Sequence, residues 1–355
     1  MTAELTTLAV PIGVRADGRP FVIPLAEYSC LIAGLPGAGK SGGLRSILVA
    51  ASHRPDVAIV GLDAKRVELR PWEPRMTALA VDLDDITLTL RALVDEMEHR
   101  YLWCESQGLD RWPIAPARPQ IVVVVDELAE LVAADEPGEK ERAVLIRRLI
   151  SKGRAGGITV IAATQRPSAD VIPTSIRDLI SLRIALATAN RESTEMILGG
   201  AWREGPAHEL PVGPGHQGLC YAVLEGERTP TKARVWHVDN DLIRSTVTRT
   251  AHLRPDLALS GMGSAKAPSD GRVKAGEAAP SGLGLDADGA GAIIPPAGQD
   301  EATVIAALAT AGRPLRFGEL HSASGLPEGR CRAAVRGLVT LSRVLQVNGA
   351  YRMVS

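Results

Sequence analysis

Tyr28-Ser29-Cys30-Leu31-Ile32-Ala33-Gly34-Leu35-Pro36-Gly37-Ala38-Gly39-Lys40-Ser41 decides how the rest of this chain is read. The first six residues are an apolar run of strand length. The next eight fit G-x-x-x-x-G-K-[ST], the pattern of a phosphate-binding P-loop. A helical pattern then runs from about Lys40 to Ser52. Glycines let backbone N–H groups turn inward around phosphate oxygens. The helix N-terminus adds the positive end of its dipole. In such a loop Gly34, Leu35, Pro36, Gly37, Ala38 and Gly39 wrap the phosphates, Lys40 reaches the β- and γ-phosphates, and Ser41 ligates Mg²⁺. The plain alternative is a Gly-rich strand-to-helix turn. Strand, loop, Lys-Ser and helix together argue for ATP and Mg²⁺ as ligands.

A P-loop needs a second strand that ends in an acid. Ile121–Val125 (IVVVV) is a run of five β-branched residues followed by Asp126 and Glu127. Such a run suits a central strand buried on both faces. It would deliver Asp126 to the metal, directly or through water, and Glu127 to the attacking water as general base. Asp126 alone could be a helix cap; the acidic pair after an apolar run favours hydrolysis over passive binding. Thr164-Gln165-Arg166-Pro167 ends the next apolar strand. Gln165 there is a candidate sensor of the γ-phosphate, or simply part of a turn before Pro167.

The same alternation extends outward. Val57–Leu62, Ile158–Ala163 and Leu182–Ala187 read as buried strands, and Gly218–Glu225 with Ala233–Val238 as a terminal hairpin. Helices fit Asp84 to about Ser106, where Leu90, Leu93, Val94, Met97 and Tyr101 recur at spacings of three and four, and Glu139 to Arg154. Strands alternating with helices predict a three-layer α/β domain with a largely parallel sheet over residues 28–250 behind an N-terminal segment 1–27.

Composition bounds the remainder. The 355 residues suggest two or three domains at roughly 100–200 residues each. Hydrophobic residues make up 45%, enough for a sizeable core, while aromatics are 3%, so packing rests on Ala, Val, Leu and Ile. Forty basic against 41 acidic side chains exclude a global nucleic-acid signature and leave that task to local patches. The 33 Arg against 7 Lys suit phosphate contacts or reflect a GC-rich genome. Cys30, Cys104, Cys220 and Cys331 form no C-x-x-C pair and read as reduced thiols. No apolar run reaches about 18 residues, so no transmembrane segment is expected, nor is a signal peptide. The expected location is the cytoplasm, with recruitment to the membrane through a partner.

From Ser260 to Gln299, 26 of 40 residues are Gly, Ala, Pro or Ser, so 251–299 reads as a flexible linker. Periodicity returns at residues 300–355. Helices are expected over Glu301–Gly312, Phe317–Ser324 and Pro327 to about Leu341, then a hairpin of Val344–Val347 and Ala350–Val354 through Asn348-Gly349. That order is a winged-helix arrangement. Seven Arg against three acidic residues from Glu301 to Ser355 make it basic. Arg330, Arg332 and Arg336 are placed to contact bases and phosphates from a recognition helix. A solvated face of a protein-binding winged helix is the alternative.

Beyond the P-loop, residues 28–241 resemble the motor domain of FtsK/SpoIIIE-type DNA translocases. Asp63-Ala-Lys-Arg-Val-Glu68-Leu69 looks like the family's D-x-K-x-x-E-L. Asp95-Glu-Met-Glu98-His-Arg100-Tyr101 looks like N-E-M-E-R-R-Y, and Val125-Asp126-Glu127-Leu128-Ala129-Glu130-Leu131 like V-D-E-F-A-D-L. Gly153-Arg154-Ala155-Gly156-Gly157-Ile158 resembles A-R-A-A-G-I. The most family-specific string is Ala163-Thr164-Gln165-Arg166-Pro167-Ser168-Ala169-Asp170-Val171-Ile172, close to A-T-Q-R-P-S-x-D-V-I.

The resemblance implies a hexameric ring of RecA-like P-loop domains that encircles double-stranded DNA and hydrolyses ATP between subunits. It puts Arg154 at the arginine-finger position and Arg191 where the family has a second basic residue facing the nucleotide. On the sequence alone Arg154 is equally a charge meeting a helix C-terminus. The family's G-x-G-D-M-L segment is replaced here by Gly205-Pro-Ala-His-Glu-Leu-Pro-Val-Gly-Pro-Gly215. The form of the P-loop and the compact size look more like the FtsK-like transfer proteins of actinobacterial plasmids and integrative elements. Two other readings stay open: a protein-export ATPase of the type VII secretion class, and an ATP-gated DNA-binding regulator.

Overall fold

The computed structural model describes residues 8–132, 138–165, 172–224, 227 and 229–257, and within the C-terminal part 303–304, 306–308, 311, 313, 315–328, 330–331, 334–335, 344–347 and 350–353. The chain divides into two compact units, Met1–Ser269 and Asp270–Ser355.

In the first unit, β3 (Cys30–Ala33), β4 (Val57–Leu62), β6 (Gln120–Val125), β7 (Ile158–Thr164) and β8 (Leu182–Leu186) fall where the apolar runs predict them. With the short β5 (Ala78–Ala80) they form a parallel block in the order β8-β3-β7-β6-β4-β5. Apart from the partly exposed Arg183 and Leu79, every residue of these strands is buried. That explains their unbroken apolar sequences: helices cover both faces of a parallel sheet. These include α1 (Lys40–Ser52), α2 (Leu83–Ser106), α3 (Leu128–Val132), α4 (Glu139–Lys152), α5 (Thr174–Arg177), α6 (Arg191–Leu198) and α7 (Asn240–Thr250).

Four antiparallel strands extend the sheet beyond β8. They are β9 (Leu219–Leu224), β10 (Thr231–Val235), β1 (Ala9–Arg15) and β2 (Pro20–Pro24), so the described sheet has ten strands, β2-β1-β10-β9-β8-β3-β7-β6-β4-β5. The expected terminal hairpin is β9–β10, with Ala233 opposite Cys220. The leading segment is part of this sheet. Gly13 of β1 pairs with Val235 so closely that a Cβ would lie 2.2 Å from the Arg234 carbonyl oxygen. A strand interrupted by Pro11 and Gly13 carries little β-signal of its own, and its pairing with residues about 220 positions away is a tertiary effect.

Buried arginines tie the edges of this unit together. Arg75 donates to the carbonyls of Ser52, Arg54 and Val57, and burial pulls its pKa down to about 10. Arg100 on α2 donates to the carbonyls of Pro119, Gly156 and Gly157 while pairing with Glu96. All four cysteines are free and buried.

In the second unit, α8 (Phe317–Ser324) follows β11 (Leu315–Arg316), and Glu319 in its first turn accepts from the Arg316 N–H at 2.8 Å. β12 (Val344–Val347) pairs with β13 (Ala350–Met353) with Val347 opposite Ala350, and β13 pairs with β11. Val304, Leu308, Leu315, Leu320, Cys331 and Val335 are in its core. Arg330 is helical and exposed. Arg332, Arg336, the Asn348-Gly349 turn and most of the 251–299 linker lie outside the described residues.

Candidate nucleotide site

The carboxyl ends of β3, β6 and β7 converge on one side of the sheet. The loop from Gly34 to Gly39 leaves β3 there and enters α1 directly. Gly39 is its N-cap with φ 107°, a left-handed conformation that favours glycine. A Cβ on Gly39 would also come within 2.3 Å of the Gly218 nitrogen, which donates to the Ala38 carbonyl at 2.8 Å. Gly34 is confined too: its Cβ would meet the Leu186 Cβ at 2.7 Å. Gly39 is therefore set by close backbone approach, and Gly34 by the Leu186 side chain and the Ala187 carbonyl.

Lys40 begins α1 and points across to the end of β6. Its Nζ donates to the Asp126 carbonyl at 2.7 Å and to Asp126 Oδ1 at 3.2 Å, and lies 3.8 Å from Glu127 Oε2. Lys40, Asp126 and Glu127 are 6%, 6% and 5% exposed, so this is a buried charge cluster. Burial pushes the Asp126 carboxyl up; the Lys40 ammonium pulls it down, and Asp63 and Glu68 add to the rise. The Glu127 carboxylate accepts the Gln165 backbone N–H through Oε1 at 3.1 Å and Oε2 at 3.2 Å. The expected residues Lys40, Ser41, Asp126, Glu127 and Gln165 are thus brought to one place by three adjacent parallel strands.

A cavity of about 630 Å³ opens beside the loop. Leu35, Pro36, Gly37, Gly39, Lys40, Ser41 and Gln165 line one side. Val14 of β1 and Arg234 to Val238, at and after β10, line the other. Arg234 fastens the preceding loop by donating to the carbonyls of Gly215 at 2.6 Å and Gln217 at 3.2 Å. This second wall was outside the sequence assignment, because nothing local in Val14 or Arg234 signals a pocket. Lys65 was also missed: its Nζ lies 3.5 Å from Glu127 Oε2 and 3.5 Å from Glu130 Oε1. Its signal was present in the Asp63–Leu69 string.

The donor set at the loop suits a hard divalent cation. A hydroxyl at Ser41 and a carboxylate at Asp126 are oxygen ligands of the kind Mg²⁺ takes together with phosphate oxygens and water. Among the described residues no cluster of three His, Cys, Asp or Glu side chains forms a metal cage.

Arg154 and Arg191 do not line this cavity. Arg154, after α4, is half exposed; it pairs with Glu27 at 2.5 Å and lies over the Tyr28 ring at 5.4 Å. Arg191, at the start of α6, stacks on Trp202 at 3.9 Å. The Arg166–Val171 stretch lies outside the described residues.

The sequence model described as the FtsK/SpoIIIE family matches residues 3–113 and 109–169, taking in the loop, the acidic pair and Gln165. Residues 3–169 are thus similar to the FtsK/SpoIIIE family. The DNA translocase SftA of Bacillus subtilis is 35% identical over 214 residues, 56% of this chain and 22% of the relative. Protein Tra of Streptomyces lividans is 34% identical over 225 residues, 58% of this chain and 36% of the relative. The chain thus spans less than half the length of these curated relatives. Among solved structures, the pCW3 conjugation coupling protein TcpA superposes with a TM-score of 0.58 at 24% identity, over 69% of this chain and 71% of that one. The type VII secretion ATPase EccC of Thermomonospora curvata gives 0.57 at 23%, over 70% and 32%. The two scores show a shared fold. Among the described residues no helix is long and apolar enough to cross a membrane.

Proposed function

We propose that this protein is an ATPase that drives movement of double-stranded DNA. The observation that carries the reading is the convergence of Lys40, Ser41, Asp126, Glu127 and Gln165 at the ends of β3, β6 and β7 beside a cavity of about 630 Å³. Lys40 leaves Asp126 for the β- and γ-phosphates, while Ser41 and Asp126 would hold Mg²⁺, which would supply charge neutralisation at the phosphates. Glu127 takes the proton of the attacking water as the new P–O bond forms and ADP departs. Gln165 senses the γ-phosphate. The similarity to a DNA translocase at 35% identity favours DNA over polypeptide as the substrate.

The working form is a hexameric ring. The exposed Arg154, carried on Glu27 and Tyr28, then serves as an arginine finger for the neighbouring site, a contribution of about 10³–10⁵ in rate. Arg191, stacked on Trp202, faces the same nucleotide. The 28–250 domain, joined in its sheet by β1 and β2, is the motor, 251–299 the linker, and 300–355 a winged helix that reads DNA through Arg330, Arg332 and Arg336. The strand order β11-β13-β12 around an apolar core supports that assignment. The biological setting is transfer of a plasmid or integrated element between cells, with the cytoplasmic motor recruited by a membrane-protein partner.

ATP hydrolysis titrated with duplex and single-stranded DNA, with particle mass measured alongside, tests this reading. Duplex should stimulate hydrolysis and a hexamer should assemble. A protein that stays a single subunit with nucleotide and duplex in excess contradicts it.

A further inference from the structure

Lys65 sits in the candidate site without a role in the scheme above. It lies in the turn after β4, and that turn is fixed at several points. The buried Asp63 accepts the Leu69 N–H at 2.9 Å, closing the turn. Glu68 pairs with Arg45 on α1, the helix that begins with Lys40. Arg66, next to Lys65, adopts φ 59°, a left-handed backbone that a non-glycine residue rarely takes. The side chain so presented lies 3.5 Å from both Glu127 Oε2 and Glu130 Oε1.

We propose that Lys65 is a positioning residue for the Glu127 carboxylate. The proposal rests on the reading of Glu127 as the general base. Glu127 is supported from one side by the Gln165 N–H, which reaches both oxygens. Lys40 adds a weaker contact at 3.8 Å, but Lys40 is required on the phosphates once ATP enters. Lys65 is then the cation that remains on Oε2, so the carboxylate keeps two supports and a fixed plane. A general base works only within hydrogen-bond reach of the water, and a misplacement of about 1 Å costs about 10²-fold in rate. Glu130 completes the arrangement. When Glu127 accepts the water's proton and becomes neutral, Lys65 stays paired with Glu130, so no lone ammonium is left beside the phosphates.

The test is steady-state phosphate release by the full chain with duplex DNA present, together with binding of a fluorescent ATP analogue. Lys65→Met should lower kcat about 10–100-fold, short of the about 10²–10⁴-fold assigned to a general base. KM and analogue affinity should stay within about 2-fold, and Lys65→Arg should recover most of the rate. In a Glu127→Gln background Lys65→Met should cost nothing further, since coupled residues are non-additive. Lys65→Gln replaces the Met variant if the latter does not fold. An unchanged kcat in an active protein overturns the proposal, as does an equal loss in the Glu127→Gln background. A loss of kcat accompanied by a matching loss of analogue affinity overturns it in favour of direct phosphate contact. Analogue binding with no phosphate release by the unaltered chain, under any DNA condition, overturns the ATPase reading and this proposal with it.

Discussion

The two halves of the large sheet divide the work of the candidate site differently. The parallel block, β8-β3-β7-β6-β4-β5, carries the charged groups: Lys40, Asp126, Glu127 and Lys65 at the carboxyl ends of its strands. The antiparallel flank, β9, β10, β1 and β2, contributes Val14 and the Arg234–Val238 wall of the cavity. The halves join along β8 and β9, and at the loop Gly218 donates to the Ala38 carbonyl. On this division, changes in the parallel block should remove chemistry, and changes in the flank should loosen the fit of the nucleotide.

Lys40→Ala should have the largest effect. It deletes the phosphate cation and leaves Asp126 and Glu127 buried without it, so phosphate release should fall by at least about 10³-fold, as for other electrostatic stabilisers of a developing charge. Glu127→Gln should leave nucleotide bound and unhydrolysed, seen as retained analogue binding with turnover reduced about 10²–10⁴-fold. A Lys40→Ala protein that turns over ATP normally would break the comparison at its root.

Gly39→Ala probes the seam. It places a side chain at φ 107° and against the Gly218 nitrogen, so thermal or denaturant unfolding should show a loss of about 1–3 kcal/mol, with weakened nucleotide binding. Arg234→Ala probes the flank. It frees the Gly215 and Gln217 carbonyls, each contact being worth about 1 kcal/mol. KM for ATP should rise about 3–10-fold with kcat unchanged, on the scale of 1.4 kcal/mol per factor of ten. A fall in kcat without a change in KM would show that the flank shares in the chemistry.

The smallest effect is expected away from the site. His53, after α1, is held below its ordinary pKa by burial, with Arg249 and Arg75 adding to the shift. The unfolded chain then binds a proton at His53 more readily than the folded one, so stability is full above about pH 6.5 and declines as pH falls toward the folded value. His53→Gln should flatten that decline in melting experiments between about pH 7 and pH 5.

This same division explains what could be read from sequence. The strands of the parallel block are buried on both faces, and Val57–Leu62 and Ile158–Thr164 advertise this as unbroken apolar runs. Lys40, Ser41, Asp126 and Glu127 follow such runs directly, so their meeting was legible from strand ends. The flank was not. β1 is interrupted by Pro11 and Gly13, and its place in the sheet comes from pairing with β10, far along the chain. Lys65 needed the fold as well: only the turn from Asp63 to Leu69, pinned through Glu68 and Arg45, brings it to Glu127. Arg154 and Arg191 illustrate a further limit. Each rests on a local aromatic ring outside the cavity, and the finger role drawn from the resemblance concerns a neighbouring subunit.

Displacement of a third strand from a triplex on linear duplex tests the central claim most directly. With ATP present the protein should strip the third strand, and it should fail to do so without ATP or with Glu127→Gln. Vigorous ATP hydrolysis that leaves the triplex intact would contradict a DNA motor.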